Sequence, residues 1–221
     1  MNHYNHQTRI TAATLGVFLG LAGSINHGIF EIMQGNTPTE GLFIEAIGKA
    51  HRFWTYGTEG AITVIPNFLL TGIAVLLVSL AVIVWSLKFI HTRYGATVFL
   101  LLMLTLTLVG GGLGHIVLFL PTWAFATRID KPLSWWRKVL STGARSVLAG
   151  LWKPMLVLTA ISWITVMELG IFGYFPWQTD PDVLMNITFG FVLLTVVLAN
   201  ITFICAFARD IEQNEECGAG I

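Results

Sequence analysis

The sequence predicts an all-α membrane protein, a five-helix transmembrane bundle with interfacial amphipathic helices. Three observations lead there. Apolar residues make up 55% of the chain and charged residues only 11%, against about 25% charged in soluble globular domains. Five apolar runs reach the length of about 18 residues that a helix needs to cross a bilayer. Charges gather between the runs rather than within them. The connections are too short for a second domain, so 1–221 reads as a single polytopic membrane domain.

The first run, 10–33, follows Arg9 and stays apolar beyond Leu21-Ala22-Gly23, which favours an uncleaved span over a signal peptide. Next, Thr37-Pro38-Thr39-Glu40 forms a capping box with proline at the first helical position. Behind it Phe43, Ile47, Ala50 and Trp54 recur at helical spacing, predicting an interfacial helix over 38–54. The second span is 65–87. Pro66 suits a first-turn position, so the residues before it are either non-helical, buried in protein or lining a polar cavity, or the start of an ordinary helix with Glu59 in the headgroups. The third span, 96–120, contains Gly110-Gly111-Gly112-Leu113-Gly114-His115, a run that either admits a neighbouring helix closely or marks a break. Ser134 then caps a second interfacial helix over 135–149, basic at Arg137, Lys138 and Arg145. Spans at 155–175 and 183–208 complete the set.

With five crossings, Arg9, Lys88 and Arg93 fall on one side, and nine Lys and Arg fall on the other. The positive-inside rule then puts the N-terminus outside and the C-terminus in the cytoplasm. Net charge is zero with no clustered basic face, so the partner is the lipid bilayer and not nucleic acid. Self-association and a partner in a membrane complex are both open. Cys205 and Cys217 have no motif spacing, which argues against a disulfide framework or zinc knuckle.

An ionisable group at mid-bilayer costs about 2.5–3.5 kcal/mol or more, so those in apolar runs need a partner, a cavity or a function. His27, Glu31, Glu59 and His115 are such groups, and the five-span topology places all four near the cytoplasmic side. His27 and Glu31 are four residues apart on one helical face and can converge on a divalent metal, with His115 as a second imidazole. Glu59 reads as a gate residue and Asn67 as a polar group at similar depth. The polar or ion-binding candidates are therefore His27, Glu31, Glu59, Asn67 and His115; the metal-ligand candidates are His27, Glu31 and His115. No catalytic residue is assigned. No nucleophile elbow, phosphate loop, dinucleotide fingerprint or His-Glu-xx-His is present.

The stretch Glu59-Gly-Ala-Ile-Thr-Val-Ile-Pro-Asn-Phe-Leu-Leu-Thr-Gly72, with His27-Gly-Ile-Phe-Glu-Ile-Met-Gln-Gly-Asn36 and Gly110-Gly-Gly112, resembles a group of bacterial multi-pass membrane proteins of uncharacterised activity. The likeness covers roughly the first 120 residues. This chain departs from that group at Gly114-His115, where the group tends to carry prolines. The resemblance implies a bacterial inner membrane and no particular activity.

Three functions fit these residues. The first is passage of a cation, proton or small polar solute through a polar site near the cytoplasmic side. The second is a non-catalytic subunit or assembly factor of a membrane complex. The third is a membrane-embedded metal-binding protein or metal-dependent enzyme. A non-enzyme is favoured, and a divalent metal is the one cofactor suggested.

Overall fold

A computed structural model of the chain describes residues 4–219; the side chains of 216–219, Cys217 among them, lie outside the described residues. Helix α1 is His6–Met33 and contains a π-helical turn at Gly23–Gly28. A short hairpin follows, β1 Phe43–Glu45 and β2 Gly60–Ile62. Then come α2 Phe68–Lys88, α3 Gly95–Leu108, α4 Ile116–Ala126, α5 Ser134–Val139, α6 Thr142–Phe172 and α7 Pro181–Ala219. Four of these helices, α1, α2, α6 and α7, are long and apolar enough to cross a membrane.

The helices are inside-out relative to a soluble bundle. Along α2 the large side chains Leu70, Ile73, Leu77, Leu80, Val84 and Leu87 are exposed, while Thr71, Gly72, Val75, Ser79, Val82 and Ser86 face inward. Apolar bulk outside and small residues inside suit a lipid solvent, in which helices associate through close packing. The α1–α2 contact is built that way. A Cβ on Gly20 would lie 2.6 Å from Ile83, one on Gly23 2.7 Å from Ser79 Oγ, and one on Gly72 2.6 Å from the Gly28 carbonyl. Between α6 and α7 hydroxyl pairs replace glycines: Ser162–Thr195 at 2.6 Å and Thr159–Thr202 at 2.8 Å.

Three expectations are corrected. The span over 96–120 is two antiparallel helices, α3 and α4, reversing at the glycines; Gly110 and Gly112 have φ of +117° and +89°, which L side chains rarely adopt. The interfacial helix over 38–54 is instead the β1–β2 hairpin with a 3-10 turn at Lys49–His51, in register Phe43–Ile62, Ile44–Ala61 and Glu45–Gly60. Gly41 and Gly48 weaken a helix there, and β2 offers the backbone a partner. The interfacial helix over 135–149 is divided at Leu140–Ser141, and Ser141 rather than Ser134 caps the long helix that continues to Phe172.

Contacts between helix ends group them at the two ends of the bundle. Asp210 near the end of α7 accepts hydrogen bonds from the Gln7 and Thr8 amides, at 2.8 and 2.9 Å, and from the Thr8 hydroxyl at 2.6 Å. Trp152 Nε1 donates to Thr11 Oγ1 at 3.0 Å, and the Asn5 amide donates to the Ile129 carbonyl at 2.8 Å. The start of α1, the end of α4, the start of α6 and the end of α7 therefore share one end of the bundle. At the other end lie the hairpin, the glycine reversal and the α6–α7 turn.

Candidate metal centre

Residues 109–114 connect α3 to α4 by running beside the hairpin. The Val64 amide donates to the Leu108 carbonyl at 3.0 Å, Thr63 and Val109 form an antiparallel bridge, and the Leu113 amide donates to the Gly60 carbonyl at 3.3 Å. The hairpin and the glycine reversal thus satisfy each other's backbone groups, as irregular chain at this depth requires. Glu59 immediately precedes β2, and the pairing delivers its side chain to the reversal. There Glu59 Oε1 accepts from the Gly114 amide at 2.6 Å.

His27 arrives from α1 in the π-helical turn, a distortion that re-aims side chains and recurs at functional sites. His115 caps α4. The two imidazole centroids are 5.5 Å apart, and His27 Nε2 is 3.2 Å from Glu59 Oε2. One ligand atom from each of His27, Glu59 and His115 lies within 4.8 Å of the others. Tetrahedral ligands around zinc at ~2.0–2.2 Å sit roughly 3.3–3.6 Å from each other, so shifts of about 1 Å bring the three onto one ion.

The tautomers suit a metal. His115 Nδ1 is 2.5 Å from the Gly111 carbonyl, which only accepts, so Nδ1 carries the proton and Nε2 presents a lone pair. Donation of the second ring N–H to a carbonyl is the usual support for a ligating histidine. His27 Nδ1 is buried with no hydrogen-bond partner among the described residues. Burial acts to raise the Glu59 carboxyl, but His27 beside it, with His115 and the Gly114 amide, outweighs that and holds it down to about 2. His27 and His115 are buried, whereas the Glu59 side chain is 36% exposed. Glu59 borders a cavity of about 410 Å³ that His115 also lines.

The glycines make room for this cluster. A Cβ on Gly112 would strike His27 Nε2 and lie 3.0 Å from Glu59 Oε1; one on Gly114 would lie 2.7 Å from Glu59 Oε1. Gly110 stands in the same relation to Glu31, at 2.7 Å from its Oε1. Glu31 is fully buried, and neither of its oxygens has a hydrogen-bond partner among the described residues.

Of the five candidate residues, three converge: His27, Glu59 and His115. For the metal trio His27, Glu31 and His115, the structure brings Glu59 rather than Glu31 into the ligand set. Glu31 lies one helical turn beyond His27, against Gly110, because the π turn and the glycine reversal direct the two side chains to different glycines. Asn67 is elsewhere. Its Oδ1 caps α2 by accepting from the Leu70 amide at 3.1 Å, and its Nδ2 donates to Asn36 Oδ1 at 2.7 Å.

Sequence reasoning missed the Gly111 carbonyl and Gly114 amide as supports, although both lie in the glycine run it singled out. It also missed Trp163, whose ring is 6.2 Å from that of His115. Trp54 and Tyr56 are further additions. Trp54 Nε1 donates to the Gly170 carbonyl at 3.2 Å and the Tyr56 hydroxyl to Asp182 at 2.7 Å, fixing the segment before Glu59 to α6 and α7. Compared with family profiles, curated proteins and solved structures, the chain matches none.

Proposed function

We propose that this is a membrane-embedded metalloprotein that holds one divalent transition metal through His27, Glu59 and His115. The observation that carries the reading is their convergence, with the free lone pair of His115 fixed by the Gly111 carbonyl. Two imidazoles and one carboxylate form the ligand set of catalytic zinc sites and of non-haem iron sites. Three protein ligands leave a coordination position open, and the cavity beside Glu59 and His115 gives that position somewhere to face. A metal there supplies Lewis acidity or an activated water. This favours a metal-dependent enzyme over the non-catalytic subunit.

The proposed membrane path has six crossings, with α3 and α4 as two short passes and both termini at one end. That end carries Arg9, Lys88, Arg93, Arg128, Lys131, Arg137, Lys138, Arg145, Lys153 and Arg209; the other carries Lys49 and Arg52. Ten against two is a stronger bias than the five-span path produces, and it assigns the basic end to the cytoplasm. In a bacterial inner membrane the metal centre then faces the non-cytoplasmic side, opposite to the side inferred from five spans.

Elemental analysis of protein purified without chelators tests the reading. One zinc, iron or manganese per chain is expected, falling at least tenfold in His27→Ala, His115→Ala and Glu59→Ala while helicity stays the same. A native preparation that holds no metal and takes none up on addition overturns it. A second reading, passage of a cation or proton, is favoured by Glu31, a buried carboxylate with no hydrogen-bond partner among the described residues, set at the break between two short helices. Flux in proteoliposomes that falls in Glu31→Gln supports it, and flux no greater than in empty liposomes removes it.

A further inference from the structure

At the basic end of the bundle, α1 and α2 border a second hollow, a groove of about 470 Å³. Most of its lining is one stripe of α1. Arg9 and Ile10, Ala13 and Thr14, and Val17 and Phe18 are pairs repeating every four residues, so they stack along one helical face. Leu87, in the last turn of α2, completes it. All of these side chains are half-buried or exposed, so the groove is open to what surrounds the bundle. Ala13 and Thr14 are small and hollow its middle, between a charged mouth at Arg9 and an apolar end at Phe18. The rise from Arg9 to Phe18 is about 13 Å at 1.5 Å per residue. That is close to the depth of one leaflet in a hydrocarbon core of ~30 Å.

Charge around this groove has one sign. Residues 4–30 and 60–129, which hold most of α1 and all of α2, α3 and α4, contain no Asp or Glu. Among the described residues Arg9, Lys88 at the end of α2 and Arg93 in the turn after it form no ion pair, whereas Arg52, Arg137, Arg145 and Arg209 each face a carboxylate. Asp210 of α7 reaches the start of α1, but it is buried and occupied by the Gln7 and Thr8 amides and the Thr8 hydroxyl. Arg93 lies 5.2 Å over the ring of exposed Tyr94, an aromatic of the kind found at headgroup level. An uncharged groove would accept any acyl chain. The planar fork of an arginine at its mouth matches phosphate oxygens, and a flank without carboxylates offers nothing to hold the ammonium group of a zwitterionic lipid.

We propose that the α1–α2 groove binds an anionic phospholipid, its phosphate on Arg9 and one acyl chain along Ala13, Val17, Phe18 and Leu87. The groove opens at the end that the charge bias assigns to the cytoplasm, where anionic headgroups attract basic segments. The metal centre lies at the other end of the bundle, so the lipid site stands or falls independently of it.

The test uses the full chain, delipidated in detergent and exposed to equal amounts of phosphatidylglycerol and phosphatidylcholine with the same acyl chains. Retained lipid is counted by native mass spectrometry. Phosphatidylglycerol is expected at one per chain, preferred about tenfold or more. Arg9→Gln should abolish the preference, and Arg9→Lys should keep most of it. Thr14→Trp fills the groove from a half-buried position and should lower retention of both lipids about tenfold at unchanged helicity. Arg137→Gln is the control for charge alone, since Arg137 pairs with Glu215 and does not line the groove; it should leave the preference intact. Equal retention of the two lipids, or a preference that survives Arg9→Gln, overturns the proposal whether or not Thr14→Trp folds. Loss of the preference in Arg137→Gln to the same degree also overturns it, by making the effect one of net charge. Displacement of the lipid by glycerol phosphate at equal concentration would make this a site for a soluble phosphate and overturn the lipid assignment.

Discussion

Gly112 tests how the site is assembled from single residues. Its φ of +89° is strained for any L side chain, and its Cβ would collide with His27 Nε2. Gly112→Ala should therefore cost roughly 1–3 kcal/mol of stability and lower metal occupancy by displacing His27. Gly150→Ala is the matched control, since nothing lies within 4 Å of a Cβ there; it should leave occupancy unchanged and be neutral or up to ~1 kcal/mol stabilising. Thermal unfolding and elemental analysis of both variants decide the matter. Glu59 adds a pH signature in the metal-free protein. Its carboxyl titrates near 2 in the fold and near 4.5 otherwise, so its stabilisation is complete above 4.5 and is lost as the pH falls toward 2. Acid unfolding of Glu59→Gln should lack that component, and identical acid profiles would count against the His27–Glu59 contact. The sequence singled out His27, Glu31, Glu59 and His115 because ionisable groups in apolar runs are costly. Which of the two carboxylates joins the histidines was not legible, because that depends on a π turn and two positive-φ glycines that leave no periodic signal.

At the scale of elements, Asn67 separates support of a helix from membership of the site. It caps α2 through the Leu70 amide and spends its Nδ2 on Asn36, away from the His27–Glu59–His115 cluster. Asn67→Ala should cost about 0.5–2 kcal/mol in unfolding, as lost N-caps do, with metal content equal to wild type. A drop in metal without a drop in stability would return Asn67 to the site. The long helices were legible because an apolar run of sufficient length has few other solutions in lipid. The hairpin was not, because Phe43, Ile47, Ala50 and Trp54 repeat at helical spacing by coincidence. Their neighbours are tertiary instead: Phe43 opposes Ile62, and Trp54 reaches Gly170. The glycine run was open to two readings, close packing or a break. Close packing is found instead along Gly20, Gly23 and Gly28 of α1 against α2, and the 110–114 run makes the reversal.

At the scale of the whole molecule, dividing 96–120 into two helices underlies the proposed six-crossing path, on which the site would lie on the side opposite to that of the five-span path. Hydropathy could not detect this, because α3 and α4 are each apolar and only a short glycine segment separates them. At 14 and 11 residues they span about 21 and 16 Å at 1.5 Å per residue. Each is shorter than the ~30 Å hydrocarbon core, so the irregular backbone at 109–115 sits at depth and needs the hairpin as its cover. Topology then has a measurable consequence. Reporters fused to either terminus should agree with each other, since Asp210 contacts Gln7 and Thr8, and on the proposed path both should register the cytoplasm. A tag inserted at Gly41, where nothing lies within 4 Å of a Cβ, should be reached from outside intact cells. A membrane-impermeant chelator applied to spheroplasts should strip the metal, whereas with inverted vesicles it should do so when sealed in the lumen and not when added outside. Termini on opposite faces would restore the odd-numbered path, and metal accessible only from the cytoplasm would return the centre to the inner side. The charge distribution argues for the former pair of outcomes, because moving the basic end outward would carry ten cations across against two.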